Sequence, residues 1–175
     1  MKNRIKTIEF LFAGLFSIYA MAQQPGVMID RDYIQASVAK NGFYEKSKPN
    51  GEYYSEREHI TFAGCTMTVH MRAVNAEEPP YKRESYDADF VFDLNMIDPK
   101  IVVSPEDLNH NPLPGGREWV IVRTFDLDDR IKIMHDGEWV SVTSGLPLQG
   151  ETNHEANQKL ADALSRVITA CHQTK

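Results

Sequence analysis

The chain has 175 residues, of which 42% are hydrophobic and 25% are charged, and its formal net charge is -6 at pH 7. This length predicts one domain, and the composition excludes a collagen-like, a coiled-coil or a wholly disordered chain. Two cysteines make at most one intrachain bridge, which excludes a disulfide-rich mini-protein. An acidic chain repels nucleic acid and anionic membrane surfaces, so we expect neither as a partner.

The first 22 residues have the pattern of a secretory signal peptide. Three basic residues precede the apolar segment 10–19, and Ala20-Met21-Ala22 offers small residues at the two positions that signal peptidase reads. The apolar run is too short to cross a bilayer of about 30 Å as a helix, although an uncleaved N-terminal anchor is the alternative. We therefore expect cleavage near Ala22, export to the periplasm or secretion, and no later membrane span. Cleavage removes three basic residues and one acidic residue, which changes the formal charge from -6 to -8.

Export would place Cys65 and Cys171 in an oxidising compartment. Cys65 falls on the apolar side of a strand pattern, and Cys171 falls on the apolar side of a helix pattern. We predict a disulfide between them that joins a strand to the last helix, with two separate buried thiols as the alternative. Their spacing fits neither a C-x-x-C redox motif nor a zinc site, so the predicted bridge is structural.

Residues 23–58 are predicted to lead into the domain. Asp30 is a candidate N-cap for a short helix that ends at Asn41-Gly42. The segment 45–58 is polar and contains the turn signal Pro49-Asn50-Gly51, so we expect a surface loop or an irregular edge there.

Residues 59–175 are predicted to form a single α+β domain. Apolar and polar residues alternate from His59 to Ala73, which predicts a strand, and a change of parity near Ala63-Gly64 predicts a bulge in it. The alternation from Tyr86 to Leu94 is cleaner, with aspartates on one side and mainly aromatic residues on the other. That pattern is typical of a half-buried antiparallel strand.

The same periodicity predicts four further strands, at 101–103, 118–125, 131–135 and 139–143. Asp136-Gly137 predicts a tight hairpin between the last two of them. The segments 104–116 and 144–150 are predicted to be loops, since the first is dense in Pro, Asn and Gly and the second contains Pro147.

The last element is predicted to be an amphipathic helix from about Asn153 to His172. Apolar residues recur at i, i+4, i+7 and i+8 and form one stripe, and Thr152 followed by Glu155 fits a capping box. We therefore expect one bent antiparallel sheet of five to seven strands packed against this C-terminal helix. A β-sandwich is the alternative, against which the helix argues.

The sequence contains no recognised catalytic motif. It lacks G-x-S-x-G, H-E-x-x-H, the P-loop and G-x-G-x-x-G, and bridged cysteines leave no thiol nucleophile. We predict no enzymatic activity and no catalytic residue. A hydrolase whose site assembles from scattered residues stays as an alternative, with His70, His135 and Asp126 as its candidates.

Two acidic turns are the candidates for cation binding. They contain Asp93, Asn95 and Asp98, and Asp126, Asp128 and Asp129. Oxygen ligands of this kind suit calcium, but the EF-hand spacing is missing and aspartate is common in turns. We predict no metal and no cofactor, and a small-ligand or cation carrier stays as an alternative.

Three short patterns occur together in the second part of the chain. They are Ile60-Thr61-Phe62 leading into Gly64-Cys65, then Phe92-Asp93-Leu94 with Ile97-Asp98-Pro99, then Val167-Ile168-Thr169-Ala170-Cys171. With them the chain resembles small exported bacterial proteins of unknown function, many from Bacteroidetes-like organisms, over about residues 58–172. Strands followed by one closing helix are also similar to PH-like domains. That likeness implies a fold and transfers no binding residue.

We interpret the chain as an exported non-catalytic binding or interaction domain. A more specific hypothesis is that the chain is an inhibitor or immunity protein that neutralises a hydrolase or toxin in the envelope. Such a partner would be basic, because a basic protein is complementary to an acidic surface. Tyr53 and Tyr54 are the candidates for partner contact, because they lie in a polar segment where an aromatic ring has no core to fill.

Overall fold

The computed structural model describes residues 25–41, 43–47, 53–76, 83–106, 117–135, 137–150 and 152–173, and for 43–47, 53–57, 73–76, 83–86 and 149 it describes the backbone only. Within these residues it has two α-helices, two 3-10 turns at Leu94–Met96 and Phe125–Leu127, and nine strands. The helices are α1 (Pro25–Asn41) and α2 (His154–His172). The strands are β1 (Phe43–Ser47), β2 (Tyr53–Ala63), β3 (Thr66–Ala76), β4 (Arg83–Asp93), β5 (Val102–Ser104), β6 (Trp119–Arg123), β7 (Ile131–His135), β8 (Glu138–Thr143) and β9 (Gly145–Gln149). None of the described helices is long and apolar enough to cross a membrane.

The fold is α+β with antiparallel sheets, as the sequence predicts. A six-stranded sheet has the order β1-β2-β3-β4-β7-β8, and a separate three-stranded sheet has the order β5-β6-β9. An antiparallel bridge between Ile97 and Thr124 links the segments that lead into β5 and out of β6. One buried core takes side chains from both sheets and both helices. The second sheet was not expected.

The change of parity at residues 63–64 marks a hairpin, so the predicted bulge in one long strand is wrong. Ala63 pairs with Thr66, and Gly64 and Cys65 form a two-residue turn between β2 and β3. Gly64 has φ +59°, which suits the first central position of a type II′ turn, where glycine is favoured. Both a bulge and a tight turn reverse the alternation of buried residues, so periodicity alone does not distinguish them.

Helix α1 is longer than predicted and belongs to the core. Val27, Ile34 and Val38 are buried, and the helix begins at Pro25, where proline is tolerated in the first turn. Asp30 is therefore inside the helix and not its cap. Its carboxylate accepts two hydrogen bonds from Arg166 of α2, at 2.7 and 2.8 Å, and so joins the two helices.

Of the two alternatives predicted for 45–58, the surface loop is wrong where the structure describes the segment, while β1 does lie at an edge of the large sheet. Residues 45–47 belong to β1 and residues 53–58 belong to β2, and the two strands pair from Phe43 with Arg57 to Ser47 with Tyr53. The proposed turn at 49–51 lies outside the described residues. Backbone pairing in a long hairpin stabilises strands without an apolar alternation, which is why the polar sequence of this segment conceals them.

The loop predicted at 144–150 is also wrong, because residues 145–149 form β9. Leu146 and Leu148 are buried on one face, and Pro147 lies opposite Ile121 of β6. β9 is an edge strand of the small sheet, and an edge strand tolerates the missing N–H of proline.

Helix α2 has the predicted apolar stripe, but its N-cap is Asn153 and not Thr152. The Asn153 Oδ1 accepts from the backbone N–H groups of Glu155 and Ala156, at 3.0 and 3.4 Å. The stripe is buried at Leu160, Ala163, Leu164, Val167, Ile168 and Cys171.

The predicted disulfide between Cys65 and Cys171 is confirmed. Their Cα atoms are 5.7 Å apart, and the bond joins the turn between β2 and β3 to the last turn of α2. It therefore fastens the closing helix to the large sheet. An intramolecular disulfide is compatible with an oxidising extracellular or periplasmic location.

Replacing Gly150 by alanine is expected to lower the free energy of unfolding by about 1–3 kcal/mol, the usual cost of overpacking. A Cβ at Gly150 would lie 2.5 Å from the Glu118 carbonyl oxygen and 2.7 Å from Asn157 Oδ1. Urea denaturation measures the change. Gly26→Ala is the control, because a Cβ there meets nothing within 4 Å, and equal midpoints for the two variants would contradict the prediction.

Candidate functional site

Two rows of side chains cross the face of the large sheet opposite the core, which we call the outer face. The strand register places His59, His70, Asp89, Met134 and Trp139 in the first row, and Thr61, Thr68, Val91, Lys132 and Val142 in the second. All ten are half-buried or exposed, whereas Ile60, Val69 and Phe90 between them are buried. The outer face therefore presents a continuous surface across five strands.

One end of the outer face holds a hydrogen-bonded chain of Thr61, His70 and Asp89. His70 Nδ1 is 2.5 Å from Asp89 Oδ1, and His70 Nε2 is 3.1 Å from Thr61 Oγ1. A carboxylate only accepts hydrogen bonds, so Nδ1 of the neutral ring donates to Asp89 and Nε2 keeps its lone pair. The Thr61 hydroxyl then donates to Nε2. Of these three residues, only His70 was a candidate from the sequence.

The ring of His59 stacks on the ring of His70. Their centroids are 4.3 Å apart and the ring planes are inclined by 15°. Partial burial lowers the pKa of His59 and repulsion from His70 lowers it further, against the attraction of Asp89 and Asp87. A pKa below the ordinary value of 6.5 leaves His59 neutral at neutral pH. Its ring therefore packs on His70 there as a neutral ring.

The other end of the outer face is apolar and lies on β8, at the edge of the large sheet. Trp139, Val140 and Val142 are 55%, 58% and 49% exposed. The Lys132 Nζ lies 4.5 Å from the centre of the Trp139 ring, a cation–π contact that holds the indole against the sheet. Among the described strands β8 pairs only with β7, with an irregularity beside Ile133 and Met134.

The three hydrolase candidates from the sequence do not form one site. Asp126 lies in the turn before β7, at φ 55°, and His135 is the last residue of β7. Asp126 precedes the first residue of β7, Ile131, and His135 ends this strand. The strand itself separates Ile131 from His135 by roughly 13 Å, at about 3.3 Å per residue. His70 lies on β3 and is bonded to Asp89 instead.

Three aspartates of the two acidic turns, Asp93, Asp98 and Asp128, bond to groups within their own turns. Asp93 Oδ1 accepts from the backbone N–H of Asn95 at 3.1 Å, and Asp98 Oδ1 accepts from that of Lys100 at 2.8 Å. Asp128 pairs with Arg130 at 2.5 Å. In the described part of the chain, no group of three or more His, Cys, Asp or Glu residues is placed to hold a metal ion.

A surface cleft of about 460 Å³ lies between the two helices. Its lining comes from one side of α1 and from the start of α2, with Tyr33, Ala36, Ser37, Lys40, Asn41, Asn153, Glu155, Ala156 and Lys159. Lys159 is 2.9 Å from Glu155 in an exposed ion pair. The cleft is a place where the small-ligand alternative could be tested.

The candidates for partner contact, Tyr53 and Tyr54, have a described backbone at the start of β2. Their side chains lie outside the described residues, so their role stays a prediction. The likeness to PH-like domains also stays a prediction about fold. No family model matches the chain, and neither a curated protein nor a solved structure matches it.

Proposed function

We propose that the chain is an exported domain that binds a partner protein in the envelope through the β8 end of its outer face. The observation that carries the proposal is the exposure of Trp139, Val140 and Val142 on one edge strand. Tryptophan is enriched among residues that dominate binding energy. Contiguous exposed apolar surface at one place marks an interaction site more often than scattered single residues do.

The position of β8 at the edge of the sheet also supports this surface as the binding site. Natural edge strands are usually protected from pairing by charged side chains, by proline or by a bulge. β8 has the sequence EWVSVT, with Glu138 as its one charged residue and no proline, so the irregularity opposite Ile133 and Met134 is its main protection. An extended segment of a partner that pairs with β8 would also meet Trp139 and Val142.

The sharper form of the proposal is an inhibitor or immunity protein whose partner is a basic hydrolase or toxin. Charge supports this form of the proposal, because the formal net charge of the mature chain, -6 less the net +2 of residues 1–22, is -8 and attracts a basic protein over a range of several ångströms. Compartment supports it as well, since residues 1–22 have the pattern of a signal peptide. We place the mature chain in the periplasm or outside the cell.

A capture experiment with envelope extract tests the proposal. The wild-type mature chain is expected to recover one protein, and Trp139→Ala is expected to weaken its binding by about 30-fold, the effect of a 2 kcal/mol contact. Ile29→Ala is the matched control, because Ile29 is 68% exposed on α1, away from β8. Affinities are then measured with the purified partner.

Recovery of no partner, or equal affinities for wild type and Trp139→Ala, would refute the proposed surface. The hypothesis that the chain is an inhibitor or immunity protein requires one further result. The purified partner must lose its enzymatic or toxic activity when one equivalent of the chain is added, and a partner that stays active would restrict the function to binding.

A further inference from the structure

We propose that Thr61 is an activated nucleophile that accepts an acyl group from an activated ester, with His70 as the general base and Asp89 as the residue that positions it. This reactivity goes beyond partner binding and does not depend on it. It belongs to the polar end of the outer face, whereas the proposed interface lies at the β8 end.

The direction of the hydrogen bonds carries the proposal. When the His70 ring is neutral, its Nδ1–H donates to Asp89 Oδ1 across 2.5 Å, and Nε2 carries the lone pair. Thr61 Oγ1 is 3.1 Å from that nitrogen, so the hydroxyl proton points at a base that is free to take it. A nucleophile bonded to a base, and a base oriented by a third group, is the arrangement that hydroxyl nucleophiles require.

The sheet holds these three groups in place. His70 and Asp89 are directly opposite each other on paired strands, and Thr61 is two residues from His59, which lies directly opposite His70. The stacked ring of His59 restricts the rotation of the His70 ring. Positions on paired strands are more rigid than positions on loops, so the chain of hydrogen bonds is organised before any substrate arrives.

An ester can reach the nucleophile. Thr61 is exposed, and the side chains of His70 and Asp89 are 28% and 41% exposed. The same solvent exposure limits the rate of acylation. In a site that is open to water, hydrogen-bond donors are not preorganised around the oxyanion, and each such donor is worth about 10²–10³ in rate. We therefore expect slow acylation that accumulates near one equivalent, without rapid turnover.

p-Nitrophenyl acetate serves as the activated ester. Thr61 Oγ1 forms a bond to the carbonyl carbon while its proton passes to His70 Nε2. The bond between that carbon and the aryl oxygen then breaks, and p-nitrophenol takes the proton from His70 on leaving. O-acetylthreonine remains at position 61, and water activated by the same imidazole releases acetate later.

The experiment treats the mature chain with p-nitrophenyl acetate, follows p-nitrophenol release and maps the acetyl group by mass spectrometry of peptides. The wild type is expected to carry acetyl on Thr61. Thr61→Val should lose the burst, which is the initial release of about one equivalent of p-nitrophenol. His70→Gln should slow acylation by about 10²-fold or more. Thr68→Val is the matched control and should react as wild type does, because Thr68 is a hydroxyl on the same face, directly opposite Thr61.

Asp89 is tested by two variants. Asp89→Asn should slow acylation while Asp89→Glu, which keeps a carboxylate, should restore part of it. A purely structural role would instead make both variants lose thermal stability with no difference in rate between them.

A burst that persists in Thr61→Val would overturn the proposal, because a histidine ring would then be the nucleophile. Acetyl found on lysine or on the amino terminus in place of Thr61, or an unchanged rate in His70→Gln, would also overturn it. If Thr61→Val fails to fold, the peptide map of the wild type decides by itself. None of these outcomes bears on the binding of Trp139→Ala to a partner, so the two proposals fail separately.

Discussion

Replacing Cys65 and Cys171 together by alanine is expected to lower the free energy of unfolding by about 4–5 kcal/mol. The bond joins residues 106 positions apart in sequence, and in the chain-entropy model a loop of about that length gives a stabilisation of this size by restricting the unfolded chain. This loss is a large part of the total stability of a typical domain, which is about 5–15 kcal/mol. Urea denaturation of the double variant and the wild type measures the difference.

Reduced wild-type protein is the control for this result, because it keeps both cysteine side chains and loses only the bond. It should lose a similar free energy, which would assign the effect to the cross-link and not to the buried thiol of Cys171. Denatured, unreduced protein should contain no free thiol. Two free thiols per chain in that assay would disprove the bridge.

Ile34→Ala is the second large effect, with an expected loss of about 2–5 kcal/mol in the free energy of unfolding. Ile34 is completely buried in the core, although its helix belongs to the segment 23–58, which was predicted only to lead into the domain. The loss comes from the transfer free energy of the removed methyl groups and from the cavity that they leave. The measurement is again urea denaturation.

Ile29→Ala is the matched control, since it makes the same chemical change in the same helix at a residue that is 68% exposed. Its expected effect is within about 0.5 kcal/mol, as for most surface substitutions. Equal stabilities for the two variants would mean that α1 unfolds without the rest of the domain. A large difference would make residues 25–41 part of the cooperative unit.

The clearest sequence patterns predicted their elements well. The stripe that ends at Cys171 predicted α2 and its buried side. The alternation from Tyr86 to Leu94 predicted the buried face of β4, where Ala88, Phe90 and Phe92 enter the core. In both segments each residue belongs to one element with one exposed side, so local periodicity reports burial directly.

The predictions failed where pairing and not periodicity decides the structure. Residues 53–58 are polar and were predicted to be a loop, yet β2 pairs them with β1 and β3. Pro147 indicated a loop, yet β9 accepts it at a sheet edge. Backbone hydrogen bonds to a neighbouring strand do not depend on which side chains are apolar, so the local alternation of residues does not reveal them.

One such failure concealed the polar end of the outer face. A bulge in a single strand from His59 to Ala73 keeps His59 and His70 far apart, whereas a turn at Gly64-Cys65 places them directly opposite each other. A glycine at the parity change was the available signal, because it suits a two-residue turn. Asp89 then follows from the pairing of β3 with β4, which spans residues that no local pattern connects.

The composition, the two cysteines and the amphipathic helix were enough to determine an α+β domain fastened by one disulfide. These features depend on which side of an element is apolar, and each chain segment carries that information itself. The register across β2, β3, β4, β7 and β8 was decided only by the tertiary structure. It alone lines up His70 with Asp89 and ends the same row at Trp139, since a row across a sheet is made by contacts between segments and not within them.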